Sequence, residues 1–116
     1  MGLLTNQGPP AWHPGCKKLL DVSKQAGDIC KSKGIELAKL ALYGSIKSIP
    51  REKVPNVLVG VLTKKQFQEN MDVIINGLTE KEKVVYEEIE RLFGSLESSD
   101  QHWEGVEINK YRSMMK

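Results

Sequence analysis

Aromatic residues are scarce in this chain, with two Phe, two Trp and three Tyr among 116 residues. Without aromatics at suitable spacing and without a basic face, base-stacking binding to nucleic acid has little to build on. Charge of one sign is also missing. Seventeen basic and 15 acidic residues are mixed along the chain, for a net charge of +2. That balance argues against a phosphate backbone or an anionic membrane as partner. No apolar run approaches the roughly 20 residues that cross a bilayer. The start, MGLLTNQGPPAW, has neither the basic n-region nor the long apolar core of a signal peptide. The only cysteines are Cys16 and Cys30. On one helix they stand about 21 Å apart, at about 1.5 Å per residue, and no disulfide spans that distance. There is no C-x-x-C and no zinc spacing, so no metal site is expected. A reducing, cytoplasmic setting is the expectation.

What is present reads as one soluble α/β unit with a modest core. After a loop rich in breakers (Gly8, Pro9, Pro10, Pro14, Gly15), residues 16–33 turn helical. Leu19, Leu20, Ser23, Ala26, Ile29, Cys30 and Lys33 recur at three and four, which marks one buried face. Gly34 ends that helix at C′. A second helix is expected over about residues 35–47, with Leu37, Leu40, Ala41 and Gly44 on one side. Pro50 and Pro55 bracket a charged linker, Arg51-Glu52-Lys53.

The stretch from Val57 to Asn70, VLVGVLTKKQFQEN, carries the most information. Six apolar residues, Val57 to Leu62, show no polar alternation, as expected of a strand buried on both faces. A helix signal follows at once. Thr63 and Gln66 have the spacing of a capping box, and Leu62 and Phe67 occupy the positions of a hydrophobic staple. The helix is expected over residues 64–75, with Phe67, Met71 and Ile74 turned inward. A strand that runs into a helix N-terminus presents unpaired backbone N–H groups to an anion such as a nucleotide phosphate. The spacing also has a plainer explanation. Gln66 is then only the N3 residue of a cap, Lys64 and Lys65 a solvated first turn, and Glu69 and Asn70 surface positions. Asn76-Gly77 breaks this helix. Thr79 and Glu82 form a second capping box, which opens a helix to about Phe93 with Val85, Ile89, Leu92 and Phe93 on its apolar face. Gly94 to Asp100 is polar, and the tail from Trp103 is short and mixed. Trp12 and His13 read as loop residues packed on their surroundings, and His102 and Trp103 as packing residues of the tail.

Two strands and four helices make an incomplete sheet, since a parallel strand needs neighbours joined by crossovers of a dozen or more residues. The chain therefore reads as part of a larger α/β structure. Three pieces in order, MGLLTNQGPPAWHPG, CKSKGIELAKLAL and VPNVLVGVLTKKQFQEN, resemble the C-terminal part of the aldo/keto reductase family. They lie nearest the branch of L-galactose dehydrogenases and D-threo-aldose dehydrogenases. The resemblance covers residues 1 to about 93. It implies strands 7 and 8 of a (β/α)8 TIM barrel with their helices, mostly helical in this portion. It places a C-terminal part of an NADP-dependent oxidoreductase domain over residues 1–94 and a tail over 95–116. Such a barrel takes about 250 residues, with its functional groups at the C-terminal ends of the strands.

The resemblance implies a coenzyme role and no catalytic residue. The family's catalytic Asp, Tyr, Lys and His belong to earlier strands, so the chain alone is expected to be inactive. Gly2, Leu3 and Leu4 match the segment that passes the coenzyme pyrophosphate. Gly60, Val61, Leu62 and Thr63 match the turn under the adenosine phosphate. Gln66 falls where NADP-preferring members place an Arg against the 2′-phosphate, and Glu69 and Asn70 match the pair facing the adenine. Gly60 also stands where many members carry a basic residue. Both departures remove positive charge from the 2′-phosphate site, and a neutral amide does not replace a guanidinium fork. Lys64 and Lys65 are candidate substitutes. NAD is favoured slightly over NADP, and an intact relative is expected to oxidise or reduce a sugar or aldehyde. The alternative is a non-catalytic short form acting as an interaction protein, self-associating through exposed barrel faces.

Overall fold

A computed structural model describes residues 2–53, 56–103 and 107–115. Met1, the Val54-Pro55 pair and tail positions 104–106 and 116 lie outside those residues. The described residues form five α-helices, α1 (Lys17–Ser32), α2 (Leu37–Ser48), α3 (Lys64–Asn76), α4 (Glu80–Gly94) and α5 (Glu107–Met114), with a short 3-10 turn at Ser98–Gln101. The helical content agrees with expectation. The two strands do not form: among the described residues there is none. Residues 3–7 are bends and a turn, closed by the Gly8 N–H donating to the Thr5 carbonyl at 3.0 Å. Residues 57–61 have no regular structure. The physical reason is the one that made the sheet incomplete, because a strand is defined by a ladder and neither segment has a partner.

α1 buries Leu19, Ser23, Ala26 and Cys30 of the expected face together with Gly27, whereas Leu20 and Ile29 are half-buried and Lys33 is exposed. Its end is a Schellman motif. Gly34 takes φ +68°, the Ile35 N–H donates to Cys30 O at 2.9 Å, and the Gly34 N–H donates to Lys31 O at 3.2 Å. The motif delivers Ile35 into the core formed by Ala26, Cys30, Leu37, Leu40, Leu78, Val85 and Ile89. Burial pushes the Cys30 thiol up to about 11, so it is an inert packing group. Both cysteines are free.

α2 has no side-chain cap of its own at Glu36. Asn6, far back in the first loop, supplies one. Its Oδ1 accepts from the Leu37 N–H at 2.8 Å, and its Nδ2 donates to the Ile35 carbonyl at 2.8 Å. The same loop crosses α1 at Gly27, where a Cβ would lie 2.7 Å from the Thr5 carbonyl oxygen. Leu4 packs on the core beside it. α4 crosses α2 where Gly44 leaves room for the Tyr86 ring. Tyr86 stands edge-on to Tyr43 at 5.1 Å, with the Lys47 ammonium over both rings. Burial, with the 2.6 Å bond to Glu90, pushes the Tyr86 phenol up to about 12.

α1 packs on α2 and α4, and α3 packs chiefly on α2. One charged junction ties three helices together. Lys39 on α2 reaches Glu82 on α4 at 2.9 Å and Asp72 on α3 at 3.3 Å. Glu82 also accepts from the Thr79 N–H at 2.9 Å, while Thr79 Oγ1 accepts from the Glu82 N–H at 3.2 Å, completing the expected capping box. Burial opposes the Glu82 charge, but the Thr79 N–H and the Lys39 ammonium outweigh it and hold the carboxyl below the usual glutamate range.

The inward face of α3 is not the expected one. Val73 is its buried residue, whereas Phe67, Met71 and Ile74 are exposed. The staple is not closed either, because Leu62 stands 91% exposed. The tail reaches back to the start of α1. Lys18 bonds Asp100 at 3.2 Å, Cys16 Sγ lies 3.5 Å from the Asp100 carbonyl, and Trp103 meets His13 edge-on at 4.8 Å.

Two outcomes follow for stability, both read by urea unfolding. Asn6→Ala leaves the Leu37 N–H and the Ile35 carbonyl short of their partner, and costs about 1–3 kcal/mol. Asn6→Asp keeps the acceptor for the Leu37 N–H but turns a carboxylate oxygen toward the Ile35 carbonyl, so it also destabilises at neutral pH, and unchanged stability in both variants would show that the two bonds contribute nothing. Because the folded Glu82 carboxyl is depressed, its contribution is complete above the ordinary value of 4.5 and is lost as pH falls through the lower folded value. Glu82→Gln therefore destabilises at pH 7 and converges on the parent as the pH falls below the depressed folded value. A constant gap between parent and variant across that range would contradict the assignment.

Candidate functional site

The start of α3 is the part of the fold best suited to hold a ligand, and its chemistry follows from how the helix is capped. Thr63 is the N-cap, with extended backbone, and its Oγ1 accepts from the Gln66 N–H at 3.1 Å. Gln66 Oε1 reaches back to accept from the N–H groups of Leu62 at 2.8 Å and Thr63 at 3.3 Å. The box expected from the spacing is therefore complete. Its consequence is that Gln66 occupies the two amides of the preceding turn. Among the described residues, the N–H groups of Lys64 and Lys65 have no partner. Their ammonium groups add charge at the same end, with Lys65 3.7 Å from Glu69.

The contrast with α4 is informative. Both helices open with a Thr-initiated box, but α4 carries Glu80 and Glu82 in its first turn, whereas α3 has no acid there and two lysines instead. Acids complement the positive helix N-terminus, and cations oppose it by about 0.3–1 kcal/mol each at an exposed site. The α3 turn offers N–H donors and ammonium groups, a set that suits an anion and not acid–base work.

The residues singled out from the sequence fall into two groups. Gly60, Val61, Leu62, Thr63 and Gln66 are exposed around the α3 turn, and Glu69 and Asn70 are half-buried one turn further on. A Cβ at Gly60 would meet nothing within 4 Å, so the position has room for a longer side chain. Gly2 is exposed, and Leu3 and Leu4 are half-buried. Among the described residues no hydrogen bond or ion pair joins residues 2–4 to residues 60–70. Leu4 acts as a core residue here.

Other polar clusters have structural explanations. His13 is buried in its loop, accepts at Nδ1 from the Gly15 N–H at 3.1 Å, and lies between Trp12 and Trp103. That agrees with a packing role for all three. The Lys39 junction is the most connected charged group, and sequence reasoning missed it because Lys39, Asp72 and Glu82 lie on three different helices. No helix among the described residues is long and apolar enough to cross a membrane.

No family model matches the chain. Over 74 residues, 64% of its length, the chain is 45% identical to L-galactose dehydrogenase of Arabidopsis thaliana. It spans only 22% of that relative's length. A stretch of 74 residues within 116 includes residues 43–74 wherever it begins, and therefore includes the α3 turn. The chain is thus similar to an oxidoreductase, and its match is that of a partial aldo/keto reductase relative of the L-galactose dehydrogenase kind.

Proposed function

We propose that this chain contributes the adenosine-binding end of an NAD(P)-dependent oxidoreductase domain, as the last part of a TIM barrel over residues 1–94. The observation that carries this reading is the similarity to L-galactose dehydrogenase across the α3 turn, where two lysines stand in place of the acids a helix start favours. In this reading the free N–H groups of Lys64 and Lys65 and their ammonium groups meet the adenosine phosphate. Gly60, Val61, Leu62 and Thr63 shape the turn beneath it, and Glu69 and Asn70 face the adenine. Gly2, Leu3 and Leu4 pass the pyrophosphate once the rest of a barrel is present. The coenzyme supplies hydride transfer when bound, and the reacting sugar or aldehyde is held by parts of the barrel other than this one.

Gln66 bears on the choice of coenzyme. Its amide oxygen is engaged by the Leu62 and Thr63 amides, so the side chain serves the cap and offers no cation to a 2′-phosphate. NAD is the better fit for that reason. A second reading, a non-catalytic interaction protein, is favoured by a separate observation, the exposed apolar residues before and along α3.

The coenzyme reading is tested by titrating the chain with NAD, with NADP and with adenosine 2′,5′-bisphosphate by NMR. The expected result is shifts centred on residues 60–70 and no turnover of any aldose. Gln66→Arg gains a charge-assisted contact worth about 1.5–3 kcal/mol, so affinity for the 2′-phosphorylated ligand rises roughly tenfold or more over the unphosphorylated one. Gln66→Glu keeps the cap and weakens both. Absence of shifts at residues 60–70 with every ligand would sink the reading.

A further inference from the structure

The two segments of the coenzyme reading, residues 2–4 and 60–70, are far apart in sequence, yet both are tied to one turn of one helix. On the first side, Asn6 fixes the loop that follows Leu4. Its Oδ1 accepts from the Leu37 N–H and its Nδ2 donates to the Ile35 carbonyl, both at 2.8 Å. On the second side, Lys39 fixes α3. Its ammonium reaches Asp72 on α3 at 3.3 Å and Glu82 on α4 at 2.9 Å. Leu37 and Lys39 both belong to the first turn of α2.

That turn is well seated. Leu37 and Leu40, on either side of Lys39, are each 1% exposed. The Asp72 carboxylate is oriented as well, because Asn76 Nδ2 donates to its other oxygen at 2.8 Å. Val73, next to Asp72, is the buried residue of α3. Lys39 runs against a local rule, since a cation in a first turn opposes the helix dipole. Two carboxylates on other helices answer its charge. All these bonds are made within the chain and do not wait on barrel neighbours.

A helix carries a tilt along its length. Lys64 lies eight residues from Asp72, about 12 Å at about 1.5 Å per residue, so a tilt of roughly 10° at Asp72 moves the α3 turn by about 2 Å. A misplacement of about 1 Å costs on the order of a hundredfold where groups must meet in a fixed geometry. We infer that Lys39 is a positioning residue. Through Asp72 it holds the α3 turn at a set distance from the loop that carries residues 2–4, so that both segments can meet one dinucleotide. The inference rests on the coenzyme reading and adds to it a residue that touches no coenzyme. Glu82 serves the other task of the junction, which is to join α2 to α4.

The test is the distance between two nitroxide labels on the full chain, read by pulsed electron paramagnetic resonance. The labels are placed at Gln7→Cys in the first loop and Lys64→Cys at the start of α3, both exposed positions. Cys16→Ser removes the half-buried thiol, and Cys30 is buried. The expected result is one narrow distribution, which Lys39→Arg preserves. Lys39→Met and Asp72→Asn broaden it or displace it by about 2 Å. Stability is read in parallel by urea unfolding. Asp72→Asn changes the midpoint little, because its ion pair is half in solvent. Glu82→Gln lowers the midpoint and leaves the distance, because Lys39 keeps Asp72. A purely structural role would make distance follow stability. An unchanged distribution in Asp72→Asn, or one that tracks the urea midpoint across the variants, would overturn the inference. NAD titration of the unlabelled parent by NMR scores the coenzyme reading separately. Absence of shifts at residues 60–70 there sinks that reading, and this inference with it, even where the distances behave as expected.

Discussion

A single extended segment cannot hydrogen-bond to itself, and this constraint governs the arrangement of the whole chain. A helix satisfies its backbone internally, so α1, α2 and α4 close a core with their own apolar stripes. Residues 57–61 lack that option. They are left outside the core, and α3, which follows them directly, makes its packing chiefly on α2. The division between the three-helix core and the solvent-facing segment before α3 is therefore a division between local and non-local hydrogen bonding.

Long-range polar bonds hold the satisfied part in register. Asn6 caps α2 from the first loop, and Gly27 lets that loop lie against α1. Lys39 joins α2, α3 and α4 at one half-buried point. These groups do what a longer apolar interface would otherwise do, fixing relative positions with few atoms. The site at the start of α3 inherits its position from only one of them, through Asp72.

What is legible in the sequence is what is local. The capping boxes at Thr63 and Thr79 depend on residues three apart, and both form as the spacing indicates. The stop at Gly34 is legible for the same reason. The stripe on α1 is buried as expected because neighbouring helices in the same chain cover it. The stripe Phe67-Met71-Ile74 is equally regular yet faces solvent, since periodicity locates an apolar face and says nothing of what lies against it. The Asn6 cap is illegible because 31 residues separate it from Leu37. In the tail, the polar composition hides a helix over Glu107–Met114. The candidate site divides in the same way. Its cap is local and visible, whereas any approach of residues 2–4 to residues 60–70 depends on contacts that the described chain does not make.

The near-balance of charge has a consequence for solution behaviour. A net charge of +2 spread over 116 residues gives little repulsion between molecules. There is then little for added salt to screen and little for a modest pH change to alter near neutrality. Against the bare leucines at 58 and 62, the chain has almost no colloidal protection, and its state in a given compartment follows the amount of it present.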